Sequence, residues 1–141
     1  MIPELHHETP LEIVATLYHL FNEGRLDEKF DLMAPEVVVN EPGDAAHIPW
    51  AGEFRGHDGL RRFYDGLAEA LSTIEIEPGS LELLPVGNEQ VLALGTEGGI
   101  SAKTGRSYVT RSVWLWTVRE GGIGELTAFH DTAAMEAALR S

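Results

Sequence analysis

Histidine and carboxylate side chains are the groups best suited to acid–base chemistry in this 141-residue chain, because it contains no cysteine. His130 and Asp131 lie side by side near its end. An imidazole titrates close to neutral pH, so His130 could orient a partner or relay a proton, although a partly buried, hydrogen-bonded histidine fits the same pattern. Asp131 precedes Thr132 and a predicted helix, where a capping role is favoured over a catalytic one. We keep both as candidate catalytic residues.

No metal ion or organic cofactor is predicted for this chain. Its six histidines form no short ligand motif such as H-x-x-x-H, and His6-His7-Glu8 lies at a terminus, where solvated side chains are expected. The lack of cysteine removes every thiolate metal site and thiol nucleophile. Gly95, Gly98 and Gly99 form neither of the common phosphate-binding glycine motifs. We therefore expect any chemistry to proceed without a cofactor.

Charge and hydrophobicity exclude several classes of partner. Ten basic residues against 23 acidic residues give a net charge of −13, which repels phosphate backbones and anionic lipids. The longest stretch without a charged side chain, residues 13–22, is shorter than the ~20 residues of a membrane helix. The start MIPELHHETP lacks the basic and apolar regions of a signal peptide. We expect a soluble, cytoplasmic protein, folded as one domain over residues 1–141, with no nucleic-acid partner and no membrane partner.

Three helices are predicted ahead of most of the strands. Thr9 can cap the first helix, and Glu12 can complete a capping box with it. Apolar residues then recur at helical spacing as far as Gly24, which is typical of a helix end. A short second helix is predicted over residues 26–33. A third is predicted over residues 58–71, where the apolar side chains share one face.

The rest of the chain predicts strands separated by turns. Residues 37–39 are three valines and predict a first strand, whereas residues 42–56 are rich in Gly, Pro and Ala and predict a long loop. Strands are predicted at residues 73–77 and 81–84, joined through Pro78-Gly79 by a bulge or a bend. Glycine-bearing turns then separate three strands that pair as antiparallel hairpins, at residues 90–100, 107–119 and 123–129. A final helix is predicted over residues 132–139. This order predicts an α+β domain in which helices cover one face of a curved sheet.

The sequence resembles the nuclear transport factor 2-like superfamily, which includes ketosteroid isomerase and the SnoaL-like polyketide cyclases. The resemblance spans about residues 9–131. Five segments show it: the corner FNEGRLD (21–27), the first strand with its Glu41-Pro42 end (37–42), and the FRG turn (54–56). The other two are the LRRFY helix start (60–64) and the last hairpin (113–131). The resemblance implies a cone-shaped α+β barrel, with helices packed in the concave face of a strongly curved, mostly antiparallel sheet.

The resemblance implies that Glu41 is a catalytic base. Val39-Asn40-Glu41-Pro42 matches the carboxylate-before-proline motif that supplies the base of ketosteroid isomerase. A carboxylate in an apolar cavity loses water, which raises its pKa and its strength as a base. No cation is expected beside it, so Glu41→Gln is expected to leave stability at neutral pH unchanged or improved. An exposed glutamate at a strand end is the alternative.

The other catalytic positions of these two enzymes are changed in this chain. The oxyanion tyrosine of ketosteroid isomerase falls on Leu17, with Tyr18 one position away, and its second oxyanion donor falls on Ser112. The histidine and aspartate of the cyclase dyad fall on Trp114 and Ala128. The resemblance therefore implies the scaffold, while neither enzyme's own site is reproduced.

The resemblance also implies a pocket with apolar walls. Alternation along the strand places Ser112, Trp114 and Trp116 on one face, and the resemblance directs that face and His130 into the concave interior. A mainly apolar wall with few polar groups is typical of small-ligand sites. The two tryptophans could instead be core filling. Trp50, on the long loop, is either part of a lid over the pocket or a plug inside it.

Three functions remain open on this sequence. The leading hypothesis is a cofactor-independent enzyme of isomerase, cyclase or lyase type that acts on a small apolar organic molecule. Glu41 would move the proton, Tyr18, Ser112 and His130 would donate hydrogen bonds, and Trp50, Trp114 and Trp116 would shape the cavity. The alternatives are a non-catalytic domain that binds a small molecule and a module that serves only to dimerise.

The opposite face of the sheet predicts self-association. Val109, Val113 and Leu115 form an apolar row there, and relatives bury the equivalent surface in homodimers. We expect a two-fold homodimer through the sheet. Arg111 lies on the same face and is expected to serve packing or a subunit contact.

Overall fold

The computed structural model describes residues 8–120 and 122–140, and the elements below belong to that part of the chain. His6, His7 and most of the start examined for a signal peptide lie outside it. The helices are α1 (Pro10–Asn22), α2 (Leu26–Asp31), α3 (Gly56–Ala70) and α4 (Thr132–Leu139). The strands are β1 (Met33–Glu41), β2 (Gly52–Arg55), β3 (Leu71–Ile76), β4 (Glu82–Val86), β5 (Gln90–Ser101), β6 (Ser107–Arg119) and β7 (Gly122–Phe129).

The seven strands form one sheet in the order β2-β1-β7-β6-β5-β3, and β4 also pairs with β5. β1 runs parallel to β7, and every other pairing is antiparallel. Helices α1, α2 and α3 pack against this sheet over a shared apolar core. The predicted α+β architecture, with helices on a curved and mostly antiparallel sheet, is confirmed.

The start of α1 follows directly from its sequence. Thr9 Oγ1 accepts a hydrogen bond from the Glu12 amide (3.2 Å), and the Glu12 carboxylate accepts one from the Thr9 amide (3.0 Å). These reciprocal bonds satisfy two of the amide donors that a helix start leaves unpaired. The predicted capping box is confirmed, and it fixes the helix that carries Tyr18 into the core.

Two predictions around the first strand were wrong. β1 begins at Met33 rather than at residue 37, and it contains Pro35. The pairing of β1 with β7 shifts register between Met33 and Val38, so a residue without an amide donor is tolerated there. The long loop also contains β2, a four-residue edge strand that pairs with the end of β1, from Val38 to Glu41. This pairing holds Glu41 in regular strand geometry.

Candidate active site

Glu41 is the last residue of β1 and its side chain is buried. Strand alternation places the preceding Asn40 on the opposite face, where its amide contacts Glu125 and Thr127 on β7. Glu41 therefore faces the interior, between the sheet and the helices. Of the two positions considered from sequence, the exposed strand end is wrong for this residue.

His130 follows the last residue of β7 and joins Glu41 to Ser112. Its Nε2 lies 3.2 Å from Glu41 Oε1, and its Nδ1 lies 2.6 Å from Ser112 Oγ on β6. The side chains of His130 and Glu41 are only 2% and 4% exposed. Ser112 is 1% exposed. Both ring nitrogens are therefore engaged, and the imidazole is fixed in orientation.

The pKa values of this pair are shifted by burial and by charge. Loss of water raises the pKa of Glu41, and the hydrogen bond and charge of His130 offset only part of that rise. For His130, burial alone lowers the pKa, but the hydrogen bond and charge of Glu41, helped by the charge of Glu97, outweigh burial and raise it. The expectation that no cation lies beside Glu41 was wrong, since His130 supplies one when protonated.

The second oxygen of Glu41 is available for chemistry. Oε1 is held by His130, whereas Oε2 makes no hydrogen bond with any residue of the described ranges. Glu41 also lines an interior cavity of about 70 Å³. Such a carboxylate can accept a proton on its free oxygen while the other oxygen keeps its hydrogen bond.

The cavity is mainly apolar. Its walls include Trp50, Trp114 and Trp116, together with side chains from α1, α3 and β3. Trp50 is 2% exposed and forms part of the wall, and Ile48, two residues earlier on the same loop, is fully buried. The three tryptophans therefore leave an open volume rather than filling it. Space of this size accommodates more than one water molecule.

Tyr18 adds one polar group to this wall. The Trp116 indole Nε1–H donates a hydrogen bond to Tyr18 Oη at 3.0 Å, which occupies the oxygen as an acceptor. The Tyr18 hydroxyl proton has no acceptor within residues 8–120 and 122–140, and Tyr18 lines the cavity. Burial raises the pKa of Tyr18, so its hydroxyl stays protonated at neutral pH. It can donate a hydrogen bond into the cavity.

Asp131 does not belong to this constellation. It is exposed, its carboxylate accepts a hydrogen bond from the Ala134 amide (3.1 Å), and it forms the N-cap of α4. Its own amide donates to Thr110 Oγ1 at 2.7 Å. The prediction that Asp131 caps the last helix is confirmed, and Asp131 does not line the cavity.

A comparison with models of protein families shows which family the chain belongs to. Residues 14–126 match the model of the SnoaL-like domain. The chain belongs to the SnoaL-like family.

Solved structures show the same fold as this SnoaL-like domain. A nuclear transport factor 2-like protein from Burkholderia thailandensis is 26% identical with a TM-score of 0.83, and the match covers 95% of this chain and 99% of that protein. TerC, co-crystallised with polyporic acid, is 21% identical with a TM-score of 0.81 over 94% and 98% of the two chains. A proposed polyketide cyclase from Xanthomonas campestris is 17% identical with a TM-score of 0.76 over 92% and 96%.

One curated protein with an assigned activity also shares sequence with this SnoaL-like domain. It is a 1-deoxy-D-xylulose-5-phosphate synthase from Dehalococcoides mccartyi, 29% identical over 105 residues. The match covers 72% of this chain but only 16% of the synthase. The similarity is therefore to a segment of that protein, and the synthase activity does not transfer with it.

The SnoaL-like domain carries different residues where the cyclase dyad was expected. Trp114 and Ala128, the positions that the resemblance assigned to the dyad, lie directly opposite each other on β6 and β7, and both are apolar. The buried acid and imidazole of this chain come instead from Glu41 and His130. The polar centre therefore lies at the ends of β1 and β7.

Sequence reasoning missed two buried charged groups in this SnoaL-like domain. Glu97 on β5 lines the cavity and accepts a 2.6 Å hydrogen bond from the Tyr108 hydroxyl. Its position on the buried face of an alternating strand was the signal that could have revealed it. Gly99 makes the contact possible, because a Cβ there would lie 2.5 Å from the Tyr108 ring. Lys29 on α2 is the second group, and its sequence context carries no such signal.

Neither a metal site nor a membrane-spanning helix is found among the described residues of this SnoaL-like domain. Within residues 8–120 and 122–140, no three His, Asp or Glu side chains are grouped so that they could hold a metal ion. In the same ranges, no helix has the length and apolar character needed to cross a membrane.

Proposed function

We propose that this SnoaL-like domain binds a small, largely apolar organic molecule in the cavity and moves a proton on it without a cofactor, with Glu41 as the base. One observation carries the proposal. Glu41 is a buried carboxylate in an apolar wall, with one oxygen held by His130 and the other free to meet a ligand. This arrangement suits general base catalysis, which typically contributes 10²–10⁴-fold to a rate.

His130 and Ser112 act as positioning residues in this scheme. When Glu41 is ionised, His130 Nε2–H donates to Oε1 and holds the carboxylate in one orientation. The Ser112 hydroxyl serves both charge states of the ring, since it can donate to Nδ1 of the neutral imidazole or accept from Nδ1–H of the imidazolium. His130 therefore balances the charge of Glu41 while Glu41 Oε2 reacts.

Tyr18 supplies the complementary hydrogen bond. Removing a proton from a carbon acid leaves negative charge on the ligand, and a fixed hydroxyl donor in a dry site stabilises such charge. Trp116 fixes the Tyr18 oxygen, so the hydroxyl is oriented before a ligand arrives. The tryptophans give the cavity a mainly apolar wall, which is the usual lining of a small-molecule site. The co-crystallisation of TerC with polyporic acid supports an organic ligand in this fold.

The alternative is a domain that binds the same ligand without turnover. The ion pair itself favours this alternative, because a carboxylate that balances an imidazolium is a weaker base than an isolated one. The two candidates share the cavity and the ligand class. They differ in whether Glu41 accepts a proton.

A nitrobenzisoxazole ring-opening assay tests the proposal. A base removes the C3 proton, the C–H electron pair becomes part of a nitrile, the N–O bond breaks, and a cyano-nitrophenolate leaves. The coloured phenolate reports the rate, and the reaction needs no cofactor. We expect saturable opening by the wild-type protein and a large loss in Glu41→Gln. Saturable binding without opening would support the binding domain and contradict the proposed base.

A further inference from the structure

Lys29 is a buried ammonium group among aromatic rings. It is 4% exposed, and its Nζ lies 4.7 Å from the centre of the Phe21 ring and 4.2 Å from that of Tyr64. It forms no ion pair or hydrogen bond with any residue that the structure describes, and burial lowers its pKa to about 8. The two rings offset part of the cost of burying the charge, but they leave its N–H donors without acceptors.

Lys29 also lies between two cavities and lines both of them. The interior cavity that holds Glu41 and an outer groove of about 460 Å³ share five lining residues, namely Phe21, Lys29, Tyr64, Leu67 and Ile74. We call these five residues the neck. A ligand that passes from the outer groove to Glu41 therefore crosses the neck and meets the ammonium group.

The charges on either side of the neck differ. The interior wall carries the carboxylates of Glu41 and Glu97, with His130 as their basic neighbour. Lys29 is the one charged side chain among the described residues that line the outer groove. An anionic group would be repelled by the interior carboxylates and attracted to Lys29. An apolar ring attached to that group would contact the aromatic walls, and it needs the volume of the neck as well as the 70 Å³ of the interior.

We propose that Lys29 is the recognition site for an acidic group of the ligand, and that the ligand is an aromatic acid whose ring enters the cavity while its anionic group stays at the neck. This inference rests on the proposed ligand-binding function and adds the ligand class and its orientation. A carboxylate, or an ionised enol or phenol, would accept the hydrogen bonds that Lys29 has to donate. A charge-assisted bond of this kind is stronger than a neutral one.

A matched pair of probes tests the inference. Naphthoate and naphthamide have the same ring and nearly the same shape, but only naphthoate is charged. Binding is measured by isothermal titration calorimetry with the wild-type protein, Lys29→Met and the control Arg61→Met. Arg61 lies over the Phe30 ring at 4.6 Å, is exposed, and lines neither cavity. Lys29→Gln provides a second neutral variant should Lys29→Met not fold, as judged by circular dichroism.

We expect the wild-type protein and Arg61→Met to bind naphthoate about tenfold more tightly than naphthamide. The neutral variants of Lys29 should lose this preference. Equal affinities in the wild type, no binding of either probe, or a preference that survives in both Lys29 variants would overturn the inference. If naphthoate binding shows no preference that depends on Lys29 but nitrobenzisoxazole is opened, this inference is wrong and the proposed function is still supported. A naphthoate preference without ring opening contradicts the proposed proton transfer and supports the role of Lys29.

Discussion

Glu41 Oε1 lies 3.2 Å from His130 Nε2, and the structure buries both side chains almost completely. Each group changes the proton affinity of the other, because little water separates or screens their charges. Burial raises the pKa of Glu41, and the carboxylates of Glu41 and Glu97 raise that of His130 against the effect of burial. The pair is therefore expected to titrate as one coupled unit.

The first prediction concerns the proton affinity of His130. Glu41→Gln keeps the shape of the side chain but removes the charge that raises the pKa of His130. Only the charge of Glu97 then opposes the effect of burial, so the pKa of His130 should fall. The imidazole C–H resonances, followed by NMR across a pH titration, report the change.

An exposed pair provides the control for this titration. His19 Nε2 and Glu23 Oε2 also lie 3.2 Å apart, but their side chains are 65% and 42% exposed. Glu23→Gln removes the same charge from the surface and should leave the titration of His130 unchanged. An unaltered pKa of His130 in Glu41→Gln would show that the two groups are not coupled.

The second prediction concerns Ser112. Ser112→Ala removes the hydroxyl that pairs with His130 Nδ1 and leaves a buried ring nitrogen without a partner. The free energy of unfolding should fall by about 1–3 kcal/mol, as measured by urea denaturation. The ¹⁵N shifts of His130 should also show a changed tautomer balance.

Ser101 supplies the matched control for Ser112. It is equally buried and accepts a hydrogen bond from the Thr104 amide, far from the imidazole in sequence. Ser101→Ala should lower stability without altering the His130 resonances. If Ser112→Ala leaves the tautomer balance as it is in the wild type, Ser112 does not position the ring.

The third prediction concerns the stability cost of Lys29. Burial lowers its pKa from 10.5 to about 8, so the charged form opposes folding. The cost is complete below pH 8 and disappears as the pH rises through the interval up to 10.5, where the unfolded chain binds more protons than the folded one. Lys29→Met should raise the free energy of unfolding at pH 7 by about 1–3 kcal/mol, once the ring contacts of the ammonium are discounted.

Urea denaturation at pH 7 and pH 10 measures this effect. The gain in Lys29→Met over the wild type should be smaller at pH 10. Tyr18 and Tyr64 line the same cavity, but burial raises both pKa values, so neither should titrate in this interval. A variant that is less stable than the wild type at pH 7 would show that the ammonium is stabilised by its surroundings.

The sequence predicted much of this fold because its signals are local. The capping box at Thr9 and Glu12 involves residues three apart, and alternation along β6 places Ser112, Trp114 and Trp116 on the buried face. The pairing of Glu41 with His130 depends instead on the parallel register of β1 and β7, which joins residues far apart in the chain. No local pattern contains that information, so Glu41 was expected to lack a cation.

The buried lysine could not be predicted for a related reason. Lys29 lies in the helix LDEKFD, whose four charged residues are typical of a solvated surface. Phe21 on α1 and Tyr64 on α3 enclose its side chain, and only the packing of the three helices brings those rings together. Tertiary contacts therefore determine its burial and its pKa.

The fourth prediction is the homodimer through the outer face of the sheet. Val109, Phe129 and Ile100 are 66%, 53% and 37% exposed there, which is a large apolar area to leave in water. We expect a dimer at tens of micromolar in sedimentation equilibrium, and dissociation in Val109→Lys. Ala15→Lys, on the exposed side of α1, introduces the same charge away from the sheet and should remain dimeric. A monomeric wild type at these concentrations would refute the prediction.

The proposed function requires that Glu41 itself, and not any buried carboxylate of the cavity, removes the proton. Glu97 provides the matched control, because it is a second buried carboxylate in the same cavity, with an oxygen that accepts a hydrogen bond from Tyr108. The decisive measurement is the rate of nitrobenzisoxazole opening by the wild-type protein, Glu41→Gln and Glu97→Gln. We predict that Glu41→Gln lowers the rate about a hundredfold or more, and that Glu97→Gln lowers it far less. Equal losses in the two variants, or a rate unchanged in Glu41→Gln, would contradict the assignment of Glu41 as the base.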